Sequence, residues 1–151
     1  MHTHKIMENN IAFGLKGIEI INSIIKTPEE PRQISVFGFD IQFKTNTNLK
    51  ENVVSVFVDV KVKDQEKLDQ LGQFSALFHY GVDDLEKNVN AKELSHVEIP
   101  QHLLSTLLGI STSTLRGLMF GAFKGTFMHP AILPIIDIGA LQLELTPVGS
   151  N

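Results

Sequence analysis

Three consecutive stretches of this chain alternate apolar and polar residues with a period of two, a pattern that suits half-buried β-strands and little else. Residues 34–45 place Phe37, Phe39, Ile41 and Phe43 on one side, with Gly38, Asp40, Gln42 and Lys44 on the other. A polar turn follows, and residues 53–63 then set Val54, Val56, Val58, Val60 and Val62 against Val53, Ser55, Phe57, Asp59, Lys61 and Lys63. After a charged turn, residues 71–82 repeat the alternation with Phe74, Ala76, Phe78 and Tyr80 on one face. Short polar turns between such runs give an antiparallel meander. An earlier run, residues 11–26, is rich in isoleucine and reads as a fourth strand. Its apolar phase changes between Leu15 and Ile18, which predicts a bulge or bend near Gly17. Two prolines around Glu29 and Glu30 make residues 27–31 a loop.

The remainder is built differently. Residues 83–98 are acidic and lose all periodicity. Pro100 suits the first turn of a helix, and Leu103, Leu104, Leu107 and Leu108 follow on one face. Gly109 is expected to break or kink that helix, with Ser111 or Ser113 capping a main helix over residues 111–125. Gly125 suits its C-terminal end, where Lys124 complements the helix dipole. Gly109, Ser113, Gly117, Gly121 and Gly125 recur every four residues and so share one bare face. Each interior glycine costs about 1 kcal/mol relative to alanine, and repeating that cost points to close approach by another element. Residues 126–134 are expected to be extended. Residues 135–145 fit a strand or a short helix equally. Residues 1–10 and 147–151 read as tails, the first flexible, around a single domain over residues 11–146. Strands first and helices last give an α+β fold: a four-stranded antiparallel sheet with a kinked main helix and a short C-terminal element on one face.

Chemistry is sparse. The 151 residues contain no cysteine, which removes disulfides, thiolate catalysis and Cys-ligated metals. The formal net charge of −4, with no clustered basic residues, argues against nucleic acid. His2 and His4 lie in the tail, and His79, His96, His102 and His129 show no metal-ligand spacing. The hydroxyls Ser111, Thr112, Ser113 and Thr114 have no partner base in sequence, and capping accounts for them. The acid pairs Glu29–Glu30 and Asp83–Asp84 sit in turns. No catalytic residue, cofactor or metal is expected, and the protein reads as a non-enzyme. The polar N-terminus is no signal peptide, and Arg116 interrupts the longest apolar stretch, so a cytoplasmic protein without membrane insertion is expected. What remains is apolar surface, because the strands carry large apolar residues on both faces.

A family resemblance enters here. Lys124-Gly125-Thr126-Phe127, followed by Leu133-Pro134, resembles the segment after the main helix in the SecB family of bacterial protein-export chaperones. The helix with Arg116, the Gly81-Val82 strand end and the order of elements are also similar. The resemblance implies an ATP-independent chaperone that holds unfolded polypeptides in long apolar grooves and delivers them for protein export. It also implies a homotetramer, a dimer of dimers joined through the main helices. Carried onto this sequence, the client-binding residues are Phe37, Phe39, Ile41 and Phe43, with Phe13 and Leu15 beside them, and the oligomer interface is Ser113, Gly117, Gly121 and Gly125. The family's partner is the translocation ATPase, docked on acids along the sheet; the corresponding positions here are Asn22, Lys26 and Leu77, none of them acidic. The alternatives are a chaperone for a client other than an exported protein, such as an antitoxin, and a hot-dog-like domain binding a small apolar ligand.

Overall fold

The computed structural model describes residues 6–8, 11–93 and 96–138. The four expected strands form at β2 (Ile11–Ile25), β3 (Phe37–Asn48), β4 (Val53–Asp64) and β5 (Gln70–Val82). A short strand β1 (Ile6–Glu8) pairs with the start of β2, so part of the segment read as a loose tail is tied to the sheet. All pairings are antiparallel, in the order β1–β2–β5–β4–β3. The fold is α+β, with helix α2 (Gln101–Ala122) on one face of the sheet.

The core lies between that helix and the central strands. Val54, Val56, Val58, Val60 and Val62 are fully buried and stand beside Tyr80, Phe78, Ala76, Phe74 and Gly72 of β5. On α2 the buried residues Leu104, Leu108, Ser111, Leu115 and Met119 recur every three or four positions, facing the sheet. Phe74 meets Phe123 edge to face, with ring centroids 6.3 Å apart. The Tyr80 hydroxyl sits 2.7 Å from Ser111 Oγ and donates to the Leu107 carbonyl at 3.3 Å. Burial pushes the Tyr80 phenol up to about 12, and the Ser111 hydrogen bond only partly opposes this. By length and composition α2 could cross a membrane, but here its apolar face lies on the sheet.

Since β2 and β3 lie on opposite sides of the central pair, residues 26–36 cross the end of β5 and β4. Arg32 pins that crossing by donating to Asp64 at 3.0 Å and to Asp69. The Gln65 N–H adds a bond to the Val36 carbonyl at 3.0 Å. Burial pushes the Asp64 carboxyl up, but the N–H groups of Glu66 and Lys67 and the Arg32 guanidinium outweigh it, leaving the group below its ordinary range.

Several expectations are corrected. The helix begins at Gln101 and runs unbroken through Gly109, so Ser111 is interior and serves Tyr80 rather than capping. Leucines on both sides of Gly109 dock on the same sheet face, and that packing outweighs the glycine's local preference. The helix ends at Ala122, with Phe123 N–H donating to the Met119 carbonyl, and Gly125 follows at φ 81°. Residues 126–130 form turns instead of an extended segment. There Thr126 Oγ1 donates to the Phe123 carbonyl and accepts from Met128 N–H. The acidic connection folds into α1 (Leu85–Asn88) and a hairpin of β6 (Asn90–Glu93) and β7 (His96–Glu98). The C-terminal element expected over residues 135–145 lies, beyond Ile138, outside the described residues, as does the tail over 147–151.

Candidate functional site

The helix covers β4 and β5 and leaves the flanking strands β2 and β3 less protected on the same face. Residues directly opposite in a ladder share a face, so the pairings identify what stands beside the helix. On β3 the row is Phe37, Phe39, Ile41 and Phe43, opposite Asp64, Val62, Val60 and Val58. Each of these four is half-buried and packs against the core. On β2 the apolar residues of the row are Leu15, Ile18, Ile20 and Ile25, opposite Tyr80, Phe78, Ala76 and Gly72, with the polar Ser23 opposite Phe74 between the last two. These four are 37–54% exposed.

The β2 row departs from the sequence expectation in two ways. Phe13 is 2% exposed and faces Val82 in the core, so it is closed to any client. Leu15, singled out from the sequence, is 37% exposed, but Ile18, Ile20 and Ile25, exposed to the same degree or more, were not singled out. Their phase is hidden by register shifts between Leu15 and Gly17 and between Ile20 and Asn22. The first shift is the predicted bulge. The second places Ile21, half-exposed, outside the ladder. The signal available was the density of isoleucine itself.

Both rows border a strand edge. Among the described residues β3 has no partner on its outer side, and β2 is paired there only over Ile11–Phe13. Backbone N–H and C=O groups therefore line the same margins as the apolar side chains. An extended chain laid along either margin would find apolar contact and hydrogen-bond partners together.

The opposite face of the sheet is laced with polar pairs. Asn22 donates to Ser75 Oγ at 2.9 Å, and Gln73 donates to Asp59 at 2.8 Å. His79 bridges three strands, with Nδ1 2.7 Å from Ser55 Oγ and Nε2 2.9 Å from Glu19. A Ser–His–Glu series invites comparison with nucleophilic catalysis, but it lies on an open sheet face with an exposed carboxylate. The backbone N–H groups of β4 and β5 are engaged in the ladder there, which leaves no donor pair for an oxyanion. Phe57 and Leu77 are half-buried on this face, and Lys44 lies 5.9 Å from the Phe57 ring centre. Among the described residues no group of three or more His, Cys, Asp or Glu side chains could hold a metal.

The small-residue stripe faces away from the sheet. Ser113, Gly117, Gly121 and Gly125 are all exposed, and a Cβ added at Gly109, Gly117, Gly121 or Gly125 would meet nothing within 4 Å. Phe120, 45% exposed, projects beside it. Among the described residues, the glycines of the stripe therefore pack against nothing in their own protomer.

No protein-family model matches this sequence, and no curated protein does. Among solved structures, the chain is similar to the Mycobacterium tuberculosis Rv1957 SecB-like chaperone, solved in complex with a ChAD peptide from the Rv1956 HigA1 antitoxin. The superposition has a TM-score of 0.51 at 9% identity and covers 83% of this chain and 86% of that one. At such identity the likeness concerns the fold, which is SecB-like.

Proposed function

We propose that this protein is an ATP-independent holdase chaperone that binds unfolded polypeptides along the apolar margins of its sheet. The carrying observation is the pair of apolar rows, exposed on β2 and half-buried on β3, each beside a strand edge that among the described residues is unpaired beyond Phe13 on β2 and throughout β3. Burial is non-directional, so such a surface accepts many sequences. Fully burying a side chain of this size contributes about 1.5–3 kcal/mol, and several together offset the cost of ordering a client. Leu15, Phe37, Phe39, Ile41 and Phe43 are the contacts carried from the resemblance, with Ile18, Ile20 and Ile25 added from the structure. In this reading the protein is cytoplasmic, is not an enzyme, and uses no cofactor.

The assembly proposed with it is a homotetramer, a dimer of dimers joined through Ser113, Gly117, Gly121 and Gly125. The open stripe supports this, since an exposed face of glycines lets a second helix come close. For the client, two observations favour a non-exported protein such as an antitoxin over export. The similar chaperone was solved with an antitoxin peptide. The positions where export chaperones carry docking acids hold Asn22, bonded to Ser75, and Leu77, half-buried.

The test is suppression of aggregation of a chemically unfolded protein, without nucleotide, at one client per assembly, with the mass measured by native mass spectrometry. A folded tetramer that captures the unfolded chain is expected. A folded protein that fails to slow aggregation at any ratio ends this reading. A co-purifying apolar small molecule in place of client binding would favour the ligand-binding alternative.

A further inference from the structure

At one end of the sheet, on the face away from α2, two glycines stand opposite each other. Gly14 of β2 pairs with Gly81 of β5, which pairs in turn with Val53 of β4. The next row, Leu15, Tyr80 and Val54, lies on the helix side, so alternation sends the glycine row to the other face. Glycine inside a strand marks a place where something else comes close to the backbone. Part of what comes close here is Lys16. The register shift between Leu15 and Gly17 makes Lys16 the extra residue of a bulge, and a bulge re-aims the side chain it carries. Lys16 lies across Gly81, where an added Cβ would come 2.6 Å from its Cε and 3.3 Å from its Cδ.

Lys16 thereby walls part of a cavity of about 300 Å³, lined also by Gly14, Gly81, Glu51, Asn52 and Asp83. Lys16 comes from β2 and Glu51 from the turn leading into β4, the strands on either side of β5. That turn is held in place. Asn52 takes a left-handed φ of 56°, its carbonyl accepts the Val82 N–H at 2.9 Å, and its Oδ1 accepts the Leu85 N–H at 3.2 Å. The cavity thus presents an ammonium and a carboxylate that do not neutralise each other. Among the described residues neither the Lys16 nor the Glu51 side chain makes a hydrogen bond or an ion pair.

We propose that this cavity is a binding site for a free α-amino acid, its carboxylate taken by Lys16 and its ammonium by Glu51. A compact zwitterion satisfies both charges at once. An inorganic anion would face the Glu51 carboxylate, and a metal ion would face the Lys16 ammonium. A polypeptide end brings only one of the two groups, so the site is separate from the apolar margins and does not depend on the chaperone reading. The volume is at the lower end for small-molecule sites and fits one amino acid rather than a nucleotide or a longer peptide. Because the turn that carries Glu51 is already pinned, little ordering is left for the ligand to drive.

The experiment titrates the isotope-labelled full chain with L-glutamine and follows the amide signals of Gly14, Gly81, Asn52 and Val82 by NMR. The polar side chain of L-glutamine has nothing to gain from the apolar margins. Saturable shifts at those amides are expected in the millimolar range. N-acetyl-L-glutamine lacks the ammonium and L-glutaminamide lacks the carboxylate, so each should bind about fivefold more weakly, the worth of one exposed charge pair. Lys16→Gln should weaken L-glutamine about fivefold and no longer distinguish it from L-glutaminamide. Glu51→Gln should weaken it to the same degree and no longer distinguish it from N-acetyl-L-glutamine. Both side chains are exposed, and unshifted signals from β4 and β5 show that each variant keeps its fold. No saturable shift with L-glutamine, L-arginine or L-leucine overturns the site. Equal binding of either derivative by wild type, or a variant that keeps the wild-type preference, overturns the assigned pairs.

Discussion

Replacing Gly117 by leucine separates two effects of opposite sign. Gly117 lies five residues before the end of α2, exposed, with nothing within 4 Å of an added Cβ. In a helix interior glycine is about 0.8–1.0 kcal/mol worse than alanine, and leucine is close to alanine. The isolated protomer should therefore gain about 0.5–1 kcal/mol. In the proposed tetramer the same face meets a partner helix. Overpacking a close contact costs about 1–3 kcal/mol per site, and a two-fold contact carries the change twice, or about 2–6 kcal/mol. That is roughly a thirty-fold to twenty-thousand-fold weaker association. A native mass spectrometry dilution series reads the assembly, and urea unfolding below the dissociation concentration reads the protomer. The expected result is a smaller species where wild type is assembled, with a raised urea midpoint and an unchanged slope. A tetramer that persists at wild-type strength refutes the interface. A destabilised protomer refutes the assignment of this face as open.

Three further substitutions test other parts. Ile20→Ser removes a side chain that is 54% exposed, so it should weaken client binding by about 1 kcal/mol with little change in the urea midpoint; unchanged affinity removes β2 from the client surface. Tyr80→Phe takes away the buried hydroxyl shared with Ser111 and Leu107 and should cost about 0.5–1.5 kcal/mol in urea unfolding. The folded Tyr80 phenol is raised to about 12, so its contribution is full below the unfolded value near 10 and is lost as pH rises through 12. Tyr80→Phe should therefore flatten the alkaline fall in stability over that window. Leu68→Gly relieves a left-handed leucine at φ 64° that is 67% exposed, and should stabilise by about 0.5–1 kcal/mol in the same assay.

The strands were legible because their alternation reports which face is buried. Val54 to Val62 on one face needed no tertiary information, and the structure buries that row completely. The stripe on α2 was legible for the same reason, as a helical period through Gly109, Ser113, Gly117 and Gly121, although Gly125 falls beyond the helix end at Ala122. What failed were features decided by long-range partners. Ser111 has the chemistry of a cap, but the hydroxyl of Tyr80, 31 residues earlier, makes it an interior residue. Phe13 and Leu15 look alike in sequence. One faces Val82 in the core and the other lies beside the helix, 37% exposed. The row Ile18, Ile20, Ile25 was obscured because each bulge inserts a residue and reverses the phase, so no single period runs through residues 11–25. The hairpin of β6 and β7 lies in a polar stretch without alternation, which gives pattern reading nothing to work on.

The same two bulges explain how such a surface is tolerated. A long, flat, apolar strand edge is a template for aggregation. On β2 the register shifts around Lys16 and Ile21 break the edge into short lengths, and Lys16 and Glu19 place charge along it. On β3 the apolar row is half-buried, and Asp40 and Lys44 alternate on the opposite face. The centre of the core lies elsewhere, in the fully buried valines of β4 and their β5 partners under α2. The exposed residues of β2, from Leu15 to Ile25, stand outside that core. It follows that substitutions on the exposed β2 row should move client affinity and substitutions in β4 should move stability. A β2 variant that lowered both together would show that the flank is core and that the division argued here does not exist.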